Sequence, residues 1–139
     1  MSDVFVKDNQ ILDAKFYILS KKDSFKLYPP EDYFKISGKD KLDCEECHFF
    51  IKPLSWSRMC KIQSAANVVD PQTNSKIFDA DEYLKIKLRN IIVSWNVRNV
   101  NIKGESVPVP VTPENIDALH ISVANYILKQ YTEHFENRD

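Results

Sequence analysis

The fold is decided by residues 79–95, DADEYLKIKLRNIIVSW. Asp79 and Glu82 have the spacing of a capping box, and acidic residues in a first turn suit the positive end of the helix dipole. Apolar side chains then recur at helical spacing and form the best helical stripe in the chain: Leu84, Leu88, Ile91, Ile92 and Trp95. The pattern predicts a helix over about residues 79–97.

The segment after this helix predicts a turn and then a second amphipathic helix. Alternating residues on either side of Gly104 predict a small β-hairpin near residues 100–109. Thr112 has the side chain of a helix N-cap, and Pro113 suits the first helical position. Apolar residues continue from there at helical spacing: Ile116, Leu119, Val123, Ile127 and Tyr131. We therefore expect a helix over about residues 113–135.

The N-terminal third of the chain has the composition of β-strands. Residues 14–19 and 25–28 flank a polar turn and predict a β-hairpin. Residues 47–54 predict a further strand that ends near a proline, which cannot donate a hydrogen bond to a neighbouring strand.

A change of period marks the boundary between the β-rich part and the helices. Ser55 has the position of an N-cap, and the apolar spacing after it predicts a helix over about residues 55–67. The predicted fold class is therefore α+β in a single domain, residues 1–139. It has an antiparallel β-rich part over about residues 14–54, packed with three C-terminal helices and the small hairpin.

The composition excludes several classes of function. The chain has 139 residues, 43% of them hydrophobic, and its net charge of −1 comes from interleaved acids and bases, so nucleic-acid binding is not expected. The sequence shows neither a secretory signal nor an apolar run of the roughly 20 residues that span a bilayer, which predicts a cytoplasmic protein without membrane contact. Only two glycines are present, and no serine lies in a nucleophile elbow, so we do not predict an enzyme.

The motif with the most distinctive chemistry is CEECH at residues 44–48. Its C-x-x-C-H spacing is that of c-type haem attachment, and Cys44, Cys47 and His48 are also ligand types that zinc accepts. The carboxylates of Glu45 and Glu46 disfavour a reactive thiolate. The simplest interpretation is reduced thiols in a turn and at the start of a strand, so no cofactor and no metal is predicted. A metal- or haem-binding module using these three residues is the alternative.

Three segments together resemble a known family. They are the helix end at residues 92–95 (IVSW), the run GESVPV at residues 104–109 and the capped segment TPENIDAL at residues 112–119. This order, after a strand such as residues 50–55 (FIKPLS), resembles the tail assembly chaperones and related small structural proteins of tailed bacteriophages. The resemblance covers about residues 48–131.

The resemblance implies a non-enzymatic function in protein binding. A tail assembly chaperone holds an aggregation-prone, helical protein of the tape-measure type through apolar helix surfaces, in the cytoplasm of the host. A permanent virion subunit of the neck, tail or head is the alternative within the same class. The implied partners are other phage structural or tail proteins, and a homo-oligomer is compatible with this role. The side chains expected to bind the partner are Trp95, Ile92, Leu88, Leu119 and Val123.

Overall fold

A computed structural model of the chain describes residues 4–7 and 9–136. These residues form antiparallel sheets and several helices, which confirms the predicted α+β class. The strands are β1 Leu12–Asp13, β2 Phe16–Lys21, β3 Ser24–Tyr28, β4 Glu45–Cys47, β5 Phe49–Ile51, β6 Asn67–Val69, β7 Lys76–Phe78, β8 Ile92–Trp95, β9 Arg98–Val100 and β10 Ser106–Pro108. The helices are α1 Gly38–Lys41, α2 Trp56–Ala65, α3 Ala80–Ile91, α4 Pro113–Asp117 and α5 Ile121–Tyr131, with a 3-10 segment at Pro30–Lys35 and a π-helical turn at Thr132–Glu136.

Within the described residues, the strands form two three-stranded sheets and two separate ribbons. One sheet has the order β1-β5-β8 and the other has the order β3-β2-β4. The ribbons are β6–β7 and β9–β10, and every pairing is antiparallel. His48 is the residue between β4 and β5, so the chain passes from one three-stranded sheet to the other at this position.

The N-terminal hairpin matches the sequence prediction, whereas the strand predicted at residues 47–54 is divided. Strands β2 and β3 pair from Tyr17 opposite Tyr28 to Lys21 opposite Ser24. Cys47 belongs to β4, and the next strand is limited to Phe49–Ile51. The backbone therefore changes partners in the middle of a segment that the sequence pattern treated as one strand.

Helix α3 begins where the capping residues predict but ends at Ile91 instead of near residue 97. The Asp79 carboxylate accepts a hydrogen bond from the Glu82 amide at 3.0 Å. Ile92 leaves the helix with φ −75° and ψ 120°, and Ile92–Trp95 becomes strand β8. β-Branched residues favour extended backbone. Pairing with β5 gives this strand hydrogen-bond partners that a further helical turn would not use.

The helix predicted over residues 113–135 is interrupted. Thr112 caps α4 as expected, its hydroxyl accepting a hydrogen bond from the Asn115 amide at 3.2 Å. His120 then departs from helical backbone geometry with φ −59° and ψ 141°, and its Nδ1 accepts a hydrogen bond from the Ser122 amide at 3.1 Å. The imidazole acts as the N-cap of α5, so an internal cap divides the apolar stripe into two helices.

The two ribbons differ in how well the sequence predicts them. The hairpin predicted near residues 100–109 exists, but its strands are Arg98–Val100 and Ser106–Pro108. Gly104 has φ +80° in its turn, a conformation that glycine adopts without steric cost. The ribbon β6–β7 was not predicted, because its three-residue strands are too short to show a period.

One cluster of buried side chains joins both three-stranded sheets to helices α3, α4 and α5. Its members are Ala14, Phe16, Cys47, Phe49, Ile51, Leu88, Ile91, Ile92, Ile116, Val123, Ile127 and Tyr131. Lys87 is buried at its edge, where its ammonium contacts a carboxylate oxygen of Glu136 at 2.7 Å and lies 4.8 Å from the centre of the Tyr131 ring. This contact fixes the π-helical turn against α3.

Two isoleucines of α5 provide a test of this core. Ile127 is fully buried, whereas Ile121 on the same helix is 71% exposed. We expect Ile127→Ala to lower the free energy of unfolding by about 2–5 kcal/mol, because it removes apolar contact and leaves a cavity. Ile121→Ala should change it by less than about 0.5 kcal/mol. Urea unfolding followed by circular dichroism measures both values, and equal losses would contradict the arrangement of α5.

Candidate functional site

Three of the five predicted binding residues are part of the core. Leu88, Ile92 and Val123 are only 5%, 6% and 6% exposed. Core packing therefore accounts for these apolar side chains without a partner. Their role in binding stays a prediction. Leu88 and Val123 each line a depression of the surface, whereas Ile92 lines neither of the two depressions described below.

The other two predicted residues, Trp95 and Leu119, are half-buried. The Trp95 indole N–H donates to the Val109 carbonyl at 2.7 Å, and its ring centre lies 5.2 Å from that of Phe49. These contacts attach the end of the β9–β10 ribbon to strand β8. Leu119 lies between α4 and α5 and lines two separate depressions of the surface, a groove and a larger cavity.

The first depression is a groove between α3, α4 and α5, with a volume of about 210 Å³. It combines apolar side chains from all three helices with charged residues at the rim. Its lining residues are Asp81, Leu84, Lys85, Leu88, Ile116, Asp117, Leu119, Ala124, Asn125 and Leu128. Leu84 is 42% exposed, so the apolar lining reaches the surface of the folded protein.

The rim of this helical groove is predominantly acidic. Arg89 donates from Nε to Asp117 Oδ1 at 2.9 Å, and this hydrogen bond lowers the pKa of the Asp117 carboxyl. Lys85 lies 3.4 Å from Glu82, and Asp81 has no ion-pair partner among the described residues. The charged groups at the rim are therefore three acids, Asp81, Glu82 and Asp117, and two bases, Lys85 and Arg89, which leaves a small excess of negative charge.

The second depression is a larger cavity of about 580 Å³, within the size range of small-molecule sites. It lies between the β3-β2-β4 sheet, the β9–β10 ribbon and the junction of α4 with α5. The His120 ring stacks on Phe25 with ring centres 4.0 Å apart. Arg98 is held at the mouth by hydrogen bonds from Nε to the Ser106 hydroxyl and from Nη2 to the Ser106 carbonyl, both at 2.9 Å.

The structure does not bring Cys44, Cys47 and His48 together as a set of metal ligands. Among the described residues, no group of three or more His, Cys, Asp or Glu side chains is arranged to hold a metal ion. Burial, followed by the charges of Glu45 and Glu46, raises the pKa of the Cys47 thiol to about 12. A thiolate ligand is therefore disfavoured at this position at neutral pH.

His48 instead connects the two three-stranded sheets through its ring. Its Nδ1 lies 2.7 Å from Asp13 Oδ2 in β1, and its Nε2 lies 2.9 Å from Glu46 Oε2 in β4. Both nitrogens can donate only in the imidazolium form. The hydrogen bonds to Glu46 and then Asp13 raise the pKa of His48, and the His48 hydrogen bond is also the main cause that lowers the pKa of Glu46 to about 2.

Sequence reasoning missed two residues of the helical groove, Leu84 and Leu128. Leu84 belongs to the predicted stripe of α3 but was not chosen as a binding residue. Ala124 and Leu128 lie four residues apart on α5, as Leu84 and Leu88 do on α3, so each pair occupies one helix face. A search for apolar side chains beside the buried stripe on both helices would have found this groove.

Comparison with protein-family models, with curated proteins and with solved structures gave no match. None of the helices in the described part of the chain is long and apolar enough to cross a membrane.

The His48 bridge predicts a specific pH dependence of stability. The pKa of His48 is higher in the folded state than in the unfolded state. The contribution of the protonated His48 to the free energy of unfolding is therefore complete below the unfolded-state pKa of about 6.5 and is lost as the pH rises through the folded-state pKa. Urea unfolding between about pH 6 and about pH 9 should therefore show the stability advantage of wild type over His48→Gln decreasing with pH.

His134→Gln is the matched control for this experiment. His134 is exposed in the π-helical turn, and its Nδ1 lies 3.0 Å from the Gln130 carbonyl oxygen at the end of α5. This variant should keep the pH slope of the wild type. A His48→Gln protein with an unchanged slope would show that the imidazolium bridge does not form in solution.

Proposed function

We propose that this protein is a non-enzymatic, protein-binding assembly factor of a tailed bacteriophage. More specifically, we propose a tail assembly chaperone that binds a helical partner of the tape-measure type. The observation that supports this function best is the apolar groove between α3, α4 and α5. Two of the side chains expected from the family resemblance, Leu88 and Leu119, line it.

The shape of the groove suits an amphipathic helix. Its volume of about 210 Å³ lies below the usual range for small-molecule sites, about 300–1,000 Å³, but gives room for apolar side chains of a partner. Leu84 and Leu128 come from different helices and flank it. Helix-in-groove complexes use this arrangement, in which anchors at helical spacing enter an apolar channel between helices.

The charges at the rim specify the partner further. Asp81, Glu82 and Asp117 lie on the helices that form the groove, together with Lys85 and Arg89. Lys85 and Arg89 are already paired with carboxylates, so the unpaired charge at the rim is negative. The best partner is therefore a helix whose apolar face is flanked by lysine or arginine, because opposite charges steer association and disfavour acidic competitors.

A negative charge in the groove should weaken this binding. We expect Leu84→Glu to reduce the soluble yield of a co-expressed helical tail protein, because it places a carboxylate in the apolar contact beside existing acids. The affinity for a purified partner helix should fall at least about tenfold. Since Leu84 is 42% exposed, the variant should retain the far-UV spectrum of wild type.

Leu42→Glu is the matched control, since Leu42 is 87% exposed at the end of α1 and does not line the groove. It should bind and solubilise the partner as wild type does. The proposal fails if the partner is equally soluble without this protein, or if both glutamate variants behave alike. Mass spectrometry of assembled particles distinguishes a chaperone, which is absent, from a virion subunit, which is present in fixed copy number.

A further inference from the structure

The ribbon β6–β7 is exposed along both of its strands. Val69 and Phe78 are 57% and 53% exposed, and Val68 and Ile77 are 37% and 50% exposed. Four of the six strand residues are therefore large, apolar and exposed, in a two-stranded ribbon that has little stability by itself. The ribbon therefore presents apolar side chains that the described part of the chain covers only in part.

The pairing register places apolar residues on both faces. Val68 lies opposite Ile77, so these two side chains share one face of the ribbon. Val69 and Phe78 lie on the other face, because successive residues of a strand alternate. This pattern differs from the alternation of apolar and polar residues that is usual for an antiparallel strand with one face in solvent.

The hydrogen bonds at the ends of the ribbon show which backbone groups point outward. The Asp79 amide donates to the Ala66 carbonyl at 2.9 Å, and the Asp70 amide donates to the Ser75 carbonyl at 2.8 Å. Ala66 and Asp70 therefore direct their backbone groups toward β7. Hydrogen-bonded and non-hydrogen-bonded pairs alternate along an antiparallel pair, so the N–H and C=O groups of Asn67 and Val69 face away from β7. No other strand of the described residues pairs with this outer edge of β6.

We propose that β6 pairs with β6 of a second copy of this chain. The two β6 strands run antiparallel about a twofold axis at Val68. Asn67 of each copy then lies opposite Val69 of the other, which gives two equivalent residue pairs, called rungs below. The result is a four-stranded sheet in the order β7-β6-β6-β7. Its central row consists of Ile77, Val68, Val68 and Ile77, and cross-strand pairs of β-branched residues stabilise a sheet.

The choice of a second copy follows from charge and symmetry. Strand β6 has no charged side chain among Asn67–Val69. If β7 paired with β7 of a second copy instead, Lys76 of one copy would lie opposite Phe78 of the other, with the two Lys76 side chains near each other. The carboxylate of Asp70 is held in its own turn by the Gln72 amide at 2.9 Å and the Thr73 hydroxyl at 3.0 Å. A net charge of −1 gives little repulsion between two copies. A twofold axis also closes the contact, so it does not propagate into a fibre.

Two double variants test the register directly. Asn67→Lys with Val69→Lys places two lysines opposite each other in both rungs, whereas Asn67→Glu with Val69→Lys places a glutamate opposite a lysine. By sedimentation velocity over a range of concentrations, we expect wild type to form a dimer and the like-charged variant to dimerise at least about tenfold more weakly. The complementary variant should stay within about threefold of wild type at low salt and weaken as salt is added.

Val100→Lys is the control in the other ribbon, where Val100 is 65% exposed, and it should leave the dimer unchanged. All substituted side chains are exposed, so circular dichroism should show a folded protein in each case. A wild type that is monomeric at every concentration overturns the proposal, and so do two double variants of equal dimer affinity. The dimer test uses the purified chain without any partner helix. Leu84→Glu, which should weaken binding in the groove, should dimerise as wild type does. Failure of the dimer proposal can therefore be distinguished from failure of the proposed function.

Discussion

The rest of the structure depends on the antiparallel pairing of β5 with β8. Ile51 lies opposite Ile92 and Phe49 lies opposite Trp95 in this pair. The Lys52 amide also donates to the Ile91 carbonyl at 3.0 Å, so the pairing engages the last residue of α3. Phe49, Ile51 and Ile92 are buried, and their burial together with the ladder fixes where the helix ends. Trp95 then reaches the Val109 carbonyl and positions the β9–β10 ribbon as a wall of the larger cavity.

The interruption between α4 and α5 has a comparable effect on the helical groove. His120 caps α5 and so interrupts the helix directly after Leu119. At this break between α4 and α5, Leu119 lines both the groove and the larger cavity. Arg89 of α3 binds Asp117 at the end of α4, and this ion pair holds the short helix beside α3. A side chain that serves as a cap therefore also determines the shape of the candidate binding surface.

Local signals in the sequence were sufficient where short-range chemistry decides the structure. Asp79, Ser55 and Thr112 cap helices as their side chains predict, and Gly104 occupies the turn of its hairpin. The predicted helix over residues 79–97 was wrong from Ile92 onward. Ile92 fits the helical spacing but also favours a strand, and pairing with Ile51 of β5, about forty residues earlier in the chain, makes it the start of β8.

The candidate site shows the same division between local and distant causes. Leu88 and Leu119 could be selected from the periodicity of single helices, and both line the groove. Whether Leu88, Ile92 and Val123 belong to the core or to the surface depends on which elements pack over them, and periodicity carries no information about that packing. His120 illustrates the limit, since a histidine beside an apolar stripe gives no sign that its ring will cap a new helix.

Helix α3 contributes to the groove with one face and contacts the β6–β7 ribbon with another. Leu84 and Leu88 line the groove, whereas Tyr83 contacts Phe78 of the β6–β7 ribbon, with ring centres 5.5 Å apart. The Lys87 ammonium lies 5.7 Å from the centre of the Tyr83 ring and forms an ion pair with Glu136. Positions four residues apart share a helix face, so 83 and 87 form a face distinct from that of 84 and 88. A partner helix in the groove and a second copy at the ribbon would therefore act on the same helix without competing for its side chains.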